Sequence, residues 1–280
     1  MHHIKDESII RVDTRFVLKP NMKDATESQE SSLQVRVFFS PADLTAVETN
    51  ANDIYIVIDV IRATTTLTVL FDSGAARVLV AGTIEQARDA ARKVPERLLC
   101  GERNAYPIPG FDYGNSPAQF SQIDLTGREL VLTTTNGTRA FYACPESSTR
   151  LAGCFYNAHA VTTRALSLAQ EHNSNIRIVC AAEANYFALD DATCAGYLAL
   201  EIQRQHPNID PPDDVHAAIA LYREFKPPRL IDFAHSAQSI IAANMSPDLK
   251  YCMKIDGSSM VPVVVGREEE TDLLLIEHSR

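Results

Sequence analysis

The fold of this 280-residue chain turns on the run Ile54-Tyr-Ile-Val-Ile-Asp59-Val-Ile-Arg62-Ala-Thr64-Thr65-Thr66. Its apolar, mostly β-branched opening does not alternate, which predicts a strand over 54–60 buried on both faces. Apolar residues then recur at helical spacing and predict a helix over 63–72 that stops near Gly74. A strand that reaches a carboxylate and passes at once into a helix is the basic unit of a layered α/β sheet. Ligands of such sheets bind beyond the carboxyl ends of the strands. The same order recurs twice. Leu130 to Leu132 leads into Thr133-Thr-Thr135-Asn136-Gly137-Thr138-Arg139, and residues 176–182 lead toward Phe187-Ala-Leu-Asp190-Asp191.

Outward from these units, strands are predicted at 34–39, 78–80, 98–100, 261–265 and 272–276. Helices are predicted at 85–93 behind a Thr83 cap, and at 138–143, 157–170, 190–205, 213–223, 231–244 and 247–253. Alternating strands and helices give an α/β fold: three α/β/α layers around a largely parallel or mixed sheet. Residues 1–33 mix both charge signs with Ser, Thr, Gln and Asn and are expected to be a partly irregular extension. Residues 34–280 are expected to form one domain. Residues 101–117 carry enough Pro and Gly to predict a long loop, and loops of that length tend to be functional.

The formal net charge of −10 argues against non-specific nucleic-acid binding, so no nucleic-acid partner is expected. No apolar stretch approaches a membrane span, and the amino terminus lacks the apolar core of a secretory signal. Six cysteines are scattered without metal-ligand spacing, so neither a disulfide framework nor a zinc site is expected, and reduced cytoplasm is the expected compartment. A homodimer is the expected assembly. His159, His216 and His235 have no neighbouring motif and read as packing or surface residues. Cys180 has no adjacent base, which argues against a thiol nucleophile.

Asp59 at a strand end reads as a metal ligand or nucleophile, because a buried charge must be paired or coordinated. The plainer alternative is a cap or a salt bridge to Arg62. Arg62 offers a planar fork for phosphate, and Thr64 and Thr65 open a helix whose free N–H groups favour an anion. The loop supplies Glu102, Arg103, Asp112, Asn115 and Ser116, which suit oxyanions or hard cations, although the same residue types populate ordinary turns. Asn136, Gly137, Thr138 and Arg139 suit a phosphate cradle, with an Asn-Gly turn and a Thr138 cap as the alternative. Of the pair at the start of the 190–205 helix, Asp190 is expected to cap and Asp191 to act as ligand.

Taken together and in order, several strings resemble the 2-phosphosulfolactate phosphatase (ComB-like) family. They are Asp59-Val-Ile-Arg62-Ala-Thr64-Thr65-Thr66, Gly101-Glu102-Arg103, Gly110-Phe-Asp112-Tyr-Gly-Asn115-Ser116-Pro117, Thr133 to Ala140, and Phe187-Ala-Leu-Asp190-Asp191. The resemblance runs from about residue 35 to 265. It implies a Mg2+-dependent phosphatase acting on phosphate monoesters of 2-hydroxycarboxylic acids, with (R)-2-phospho-3-sulfolactate, on the route to coenzyme M, as the name-giving substrate. Asp59, Arg62 and Asp191 would then be catalytic. Asp59, Glu102, Asp112 and Asp191 are the candidate metal ligands. Thr64, Thr65, Arg103, Asn115, Ser116, Asn136, Gly137, Thr138 and Arg139 would bind substrate. The chain departs from the pattern at Asp190, where Glu is usual, at Ala182, where Gly is common, and at Asn104-Ala105-Tyr106, where a glycine-containing turn is expected. A non-catalytic anion-binding protein on the same fold is the rival reading.

Overall fold

Parallel strands joined through helices, and one hairpin between them, account for most of the chain. The computed structural model describes residues 33–279. Expectations for residues 1–32 fall outside the described residues. From Leu33 onward the chain forms one compact unit. In chain order its elements are β1 (Val35–Phe38), α1 (Pro41–Thr45), β2 (Ile54–Ile58), α2 (Ala63–Asp72), β3 (Arg77–Val80), α3 (Ile84–Lys93), β4 (Leu98–Arg103), β5 (Tyr106–Pro107) and α4 (Pro117–Phe120). There follow β6 (Glu129–Thr133), α5 (Gly137–Ala143), β7 (Thr149–Gly153), α6 (Ala158–His172), β8 (Ile176–Cys180), α7 (Leu189–Gln205), α8 (Asp213–Glu224), α9 (His235–Ala242), α10 (Pro247–Cys252), β9 (Val261–Arg267) and β10 (Leu274–Ser279).

The strands form one sheet in the order β1-β8-β2-β7-β9-β10-β3-β6-β4-β5. β1, β8, β2 and β7 run parallel, as do β3, β6 and β4. The antiparallel β9–β10 hairpin joins the two blocks, so the sheet is mixed and the blocks run in formally opposite senses. Twist reconciles this with a shared site. β2 and β6 stand five places apart, and a twist of about 20–25° per neighbour accumulates to roughly 100–125°. That turn swings the carboxyl ends of both blocks toward one side.

All five residues of β2 are buried, as its unbroken apolar run requires. α6, α7 and α8 pack on one another against the first block, while α5, with α1 and α2 beside it, also packs on β2. The result is the three-layer α/β/α arrangement. Thr83 caps α3 with Gln86 completing a capping box. The six cysteines are all buried free thiols. No helix among the described residues is long and apolar enough to cross a membrane.

Besides the short helices α1 and α4, which were not expected, three regions differ from expectation. β7 carries Arg150 and Gly153 and so lacks a strand-like run; Arg150 is nevertheless buried, donating to the Phe141 and Glu146 carbonyls at 3.1 and 2.6 Å. The helix expected over 231–244 is broken into a 3-10 turn, Arg229–Asp232, and α9. The expected loop over 101–117 is more ordered than its composition suggests. β4 runs on to Arg103 and turns through Asn104 and Ala105, both at positive φ, to pair with β5.

Candidate active site

The ends of β2, β4, β6 and β8 meet around a cavity of about 340 Å³. Asp59, Arg62, Glu102, Asn104, Asn115, Thr135, Asn136, Ala182, Glu183, Asp190 and Asp191 line it, and Ser236 and Ser239 of α9 form a further wall.

The turn that presents Asp59 is built by its own neighbours. The Asp59 N–H donates to Thr64 Oγ1 at 3.1 Å, and that hydroxyl donates back to the Asp59 carbonyl at 2.9 Å. Thr65 Oγ1 donates to the Val60 carbonyl at 2.8 Å. Both hydroxyls are therefore spent on the β2–α2 turn and stand outside the cavity lining, away from the substrate-binding role expected for them. Asp59 Oδ1 accepts the Ala63 N–H at 3.2 Å. From the other block, Gly137 lies against the same carboxylate. A Cβ there would stand 2.5 Å from the Ala63 Cβ and 2.6 Å from Asp59 Oδ2. Only a glycine permits that approach.

Arg62 is buried and ion-paired with the equally buried Asp248 at 2.7 Å. It also donates to Met245 Sδ and to the Ala105 carbonyl, which leaves two of its five N–H donors for a ligand. Asp248 further accepts from Ser116 Oγ at 2.5 Å and from the Ala118 N–H at 3.2 Å. Ser116 thus supports the arginine's counter-ion and caps α4, and is not a cavity residue. Sequence reasoning did not find Asp248, because nothing near Pro247 marks it.

Glu102 is held by the Thr135 N–H at 2.7 Å, Thr135 Oγ1 at 3.1 Å and the Ala105 N–H at 3.0 Å. Asp191 is bonded through both oxygens, to the Val60 N–H at 2.9 Å and the Ala182 N–H at 3.1 Å, and so pins the ends of β2 and β8 together. Asp190 is equally buried. Its Oδ1 accepts from Ser236 Oγ at 3.1 Å while the carboxyl lines the cavity. Both aspartates line the cavity; Asp191 in addition clamps the ends of β2 and β8, while Asp190 is tied to Ser236 of α9.

Burial raises all three aspartates. The Asp59 carboxyl is pushed up to about 7 by burial, with Glu102 and Asp190 adding to the effect and Arg62 opposing it. Asp190 is pushed up to about 6, first by burial and then by Glu183, against the hydrogen bond from Ser236. Asp191 lies well above the carboxylate range through burial and the charges of Asp190 and Asp59.

Several expected residues stand elsewhere. Asp112 is exposed and accepts the Leu99 N–H at 2.8 Å, outside the cavity lining. Thr138 bonds to Thr134, its N–H donating to Oγ1 at 3.1 Å and its hydroxyl to the carbonyl at 3.0 Å. Arg103 donates to the Glu102 carbonyl and to Thr133 Oγ1. Arg139 is exposed and reaches Asn185 Oδ1 at 3.4 Å. Neither arginine lines the cavity. Asn115 and Asn136 do. Asn136 Oδ1 accepts the Ala184 N–H at 3.2 Å, and the buried Asn115 Oδ1 finds no hydrogen-bond partner among the described residues. Glu183, Ser236 and Ser239 were not anticipated. Glu183 carried a legible signal, since it follows β8 within three residues just as Asp59 follows β2.

Among the described residues, no three His, Cys, Asp or Glu side chains are arranged as a ready cage for a metal. Mg2+ does not need one: it takes one or two carboxylates and completes its shell with water and phosphate oxygens. The oxygen donors here, whose crowded charges raise each other's affinity for a proton, fit such a hard cation.

The family model described as 2-phosphosulpholactate phosphatase matches residues 39–267. A "Probable 2-phosphosulfolactate phosphatase" of Deinococcus radiodurans is 37% identical over 216 residues, covering 76% of this chain and 88% of the relative. Proteins of the same name are 30% identical in Carboxydothermus hydrogenoformans, over 89% of this chain and 99% of the relative, and 33% identical in Thermus thermophilus, over 78% and 90%. This chain belongs to the 2-phosphosulpholactate phosphatase family, whose members are phosphoric monoester hydrolases.

Proposed function

We propose that the protein hydrolyses phosphate monoesters of 2-hydroxycarboxylic acids with the help of Mg2+, and that (R)-2-phospho-3-sulfolactate, the substrate in the family's name, is the reference ester. The observation that carries this reading is the convergence of Asp59, Glu102 and Asp190 with the preorganised Arg62 in one cavity. One or two of these carboxylates, Asp59 with Glu102 or Asp190, would hold the cation, which when bound acts as a Lewis acid on a phosphoryl oxygen. Arg62, fixed in advance by Asp248, stabilises charge that grows on the phosphoryl group without having to reorganise. Asn115 and Asn136 orient the ester through neutral hydrogen bonds. Asp191 keeps Val60 and Ala182 at the spacing that the cavity needs.

The test is phosphate release from a panel of 2-phosphorylated acids, with Mg2+ and with EDTA. Release with Mg2+ that EDTA stops and that Asp59→Asn lowers at least about 100-fold, on the scale of losing a group acting on the transition state, supports the reading. A folded protein that releases no phosphate from any of them is a binding protein instead. Borohydride separates two routes of attack. Reductive trapping at Asp59 marks an aspartyl phosphate, and its absence during turnover marks attack by water.

A further inference from the structure

The acids that line the cavity are not equally engaged. Both oxygens of Glu102 accept hydrogen bonds, from Thr135 and Ala105, and both oxygens of Asp191 accept backbone N–H groups. Glu183 is half-exposed and ion-paired with His235. Asp59 and Asp190 each engage Oδ1, with the Ala63 N–H and with Ser236 Oγ, and among the described residues neither Oδ2 has a donor. A hard cation takes the oxygens that still have lone pairs to give. The two free oxygens belong to carboxyls close enough for the charge of Asp190 to act on Asp59.

Among the described residues, Ser236 is the only side chain hydrogen-bonded to Asp190, and its own place is fixed. It is the second residue of α9, and Ala234 and Ala237 beside it are wholly buried. The Ala234 N–H donates to the Leu230 carbonyl at 3.0 Å, which ties the helix to the 3-10 turn before it. Asp190 stands in the first turn of α7, where a short side chain can turn between staggered positions. The hydroxyl decides which position it keeps. The same stretch of chain serves the arginine, since Met245 and Asp248, just beyond α9, hold Arg62.

We propose that Ser236 is a positioning residue for the cation: by holding Asp190 Oδ1 it turns the free Oδ2 toward Asp59 Oδ2, and these two oxygens are the pair the cation takes. This rests on the hydrolase reading above and names Asp190, rather than Glu102, as the carboxylate that joins Asp59.

Calorimetry with Mg2+ alone, on the full chain without ester, reads the effect. Ser236→Ala should weaken Mg2+ binding at least about tenfold, the loss that follows removal of a group orienting a metal ligand. It should raise the Mg2+ needed for half-maximal phosphate release by a similar factor, while saturating Mg2+ restores kcat to within about threefold. Ser236→Thr keeps the hydroxyl and should bind Mg2+ within about threefold of the parent. Asp190→Asn should weaken Mg2+ binding more than Glu102→Gln does, a comparison that does not depend on how well Ser236→Ala folds. Mg2+ binding unmoved by Ser236→Ala, lost equally in Ser236→Thr, or hurt more by Glu102→Gln than by Asp190→Asn overturns the inference while leaving Mg2+-dependent hydrolysis intact. A folded parent chain that binds no Mg2+, with phosphate release indifferent to EDTA or absent, overturns both.

Discussion

At the scale of single residues, the site depends on a side chain that never touches the ligand. Asp248 holds Arg62 in place, and both are almost wholly buried. Asp248→Asn is expected to leave a buried guanidinium without its counter-ion and to cost about 3–5 kcal/mol of stability, read from urea unfolding. The departures from the family pattern also resolve at this scale. Ala105 has φ +70° and Ala182 φ +61°, so alanine occupies left-handed backbone at 182, where the resemblance makes glycine common, and within the 104–106 turn, where it implies a glycine-containing turn. Left-handed backbone costs a non-glycine residue roughly 1–2 kcal/mol, and glycine's extra chain entropy returns about half of that. Ala105→Gly should therefore raise the unfolding free energy by up to about 1 kcal/mol; a lower urea midpoint would contradict this account.

At the scale of elements, the decisive contact joins the two sheet blocks, where the β6–α5 turn meets the β2–α2 turn at Gly137. A methyl group there would push against both the Ala63 Cβ and the Asp59 carboxylate. Gly137→Ala should cost about 1–3 kcal/mol, as overpacking does, and lower phosphate release by about 100-fold, since small misplacements of reacting groups have effects of that order. Stability and activity are measured on the same preparation; full activity would show that the two turns can separate harmlessly. The major elements were legible because their signals are local. β2 reads as a buried strand from its apolar run, α3 from its capping box and α2 from its spacing. β7 was not legible: Arg150 interrupts its apolar run and is buried against the carbonyls of Phe141 and Glu146 just upstream, and Gly153 is needed because its neighbours Ile56 and Leu198 leave no room for a Cβ. The break before α9 was hidden in the same way, because apolar spacing continues across it.

At the scale of the whole molecule, burial of several carboxyls in one cavity links folding to pH. Asp59 is pushed up to about 7, Asp190 to about 6 and Asp191 well above its ordinary range. An unfolded aspartate titrates near about 4, so between pH 4 and 7 the folded chain binds more protons than the unfolded one. Stability from this source is fully present below pH 4 and is lost as pH rises through 6 and 7. In EDTA, the melting temperature should fall between about pH 5.5 and 8, the fall should be smaller in Asp59→Asn, and Mg2+ should reduce it by taking the protons' place. A melting temperature that rises across this range in EDTA would refute the link. What the sequence determined by itself was the layered α/β class, most element positions and the strand ends where polar residues gather, since periodicity and turn chemistry act over a few residues. The tertiary structure alone decided which of those polar residues share a cavity. Twist carries strands five places apart to one edge, where some polar groups, such as Thr64 and Thr138, are spent on backbone outside the cavity, and others, such as Asp59, Asn115, Asp190 and Asp191, line it. Thr64 and Thr138 find partners within five residues, but which groups share the cavity depends on burial and on contacts between segments far apart in the chain, such as Asp191 with Val60, which no local pattern encodes.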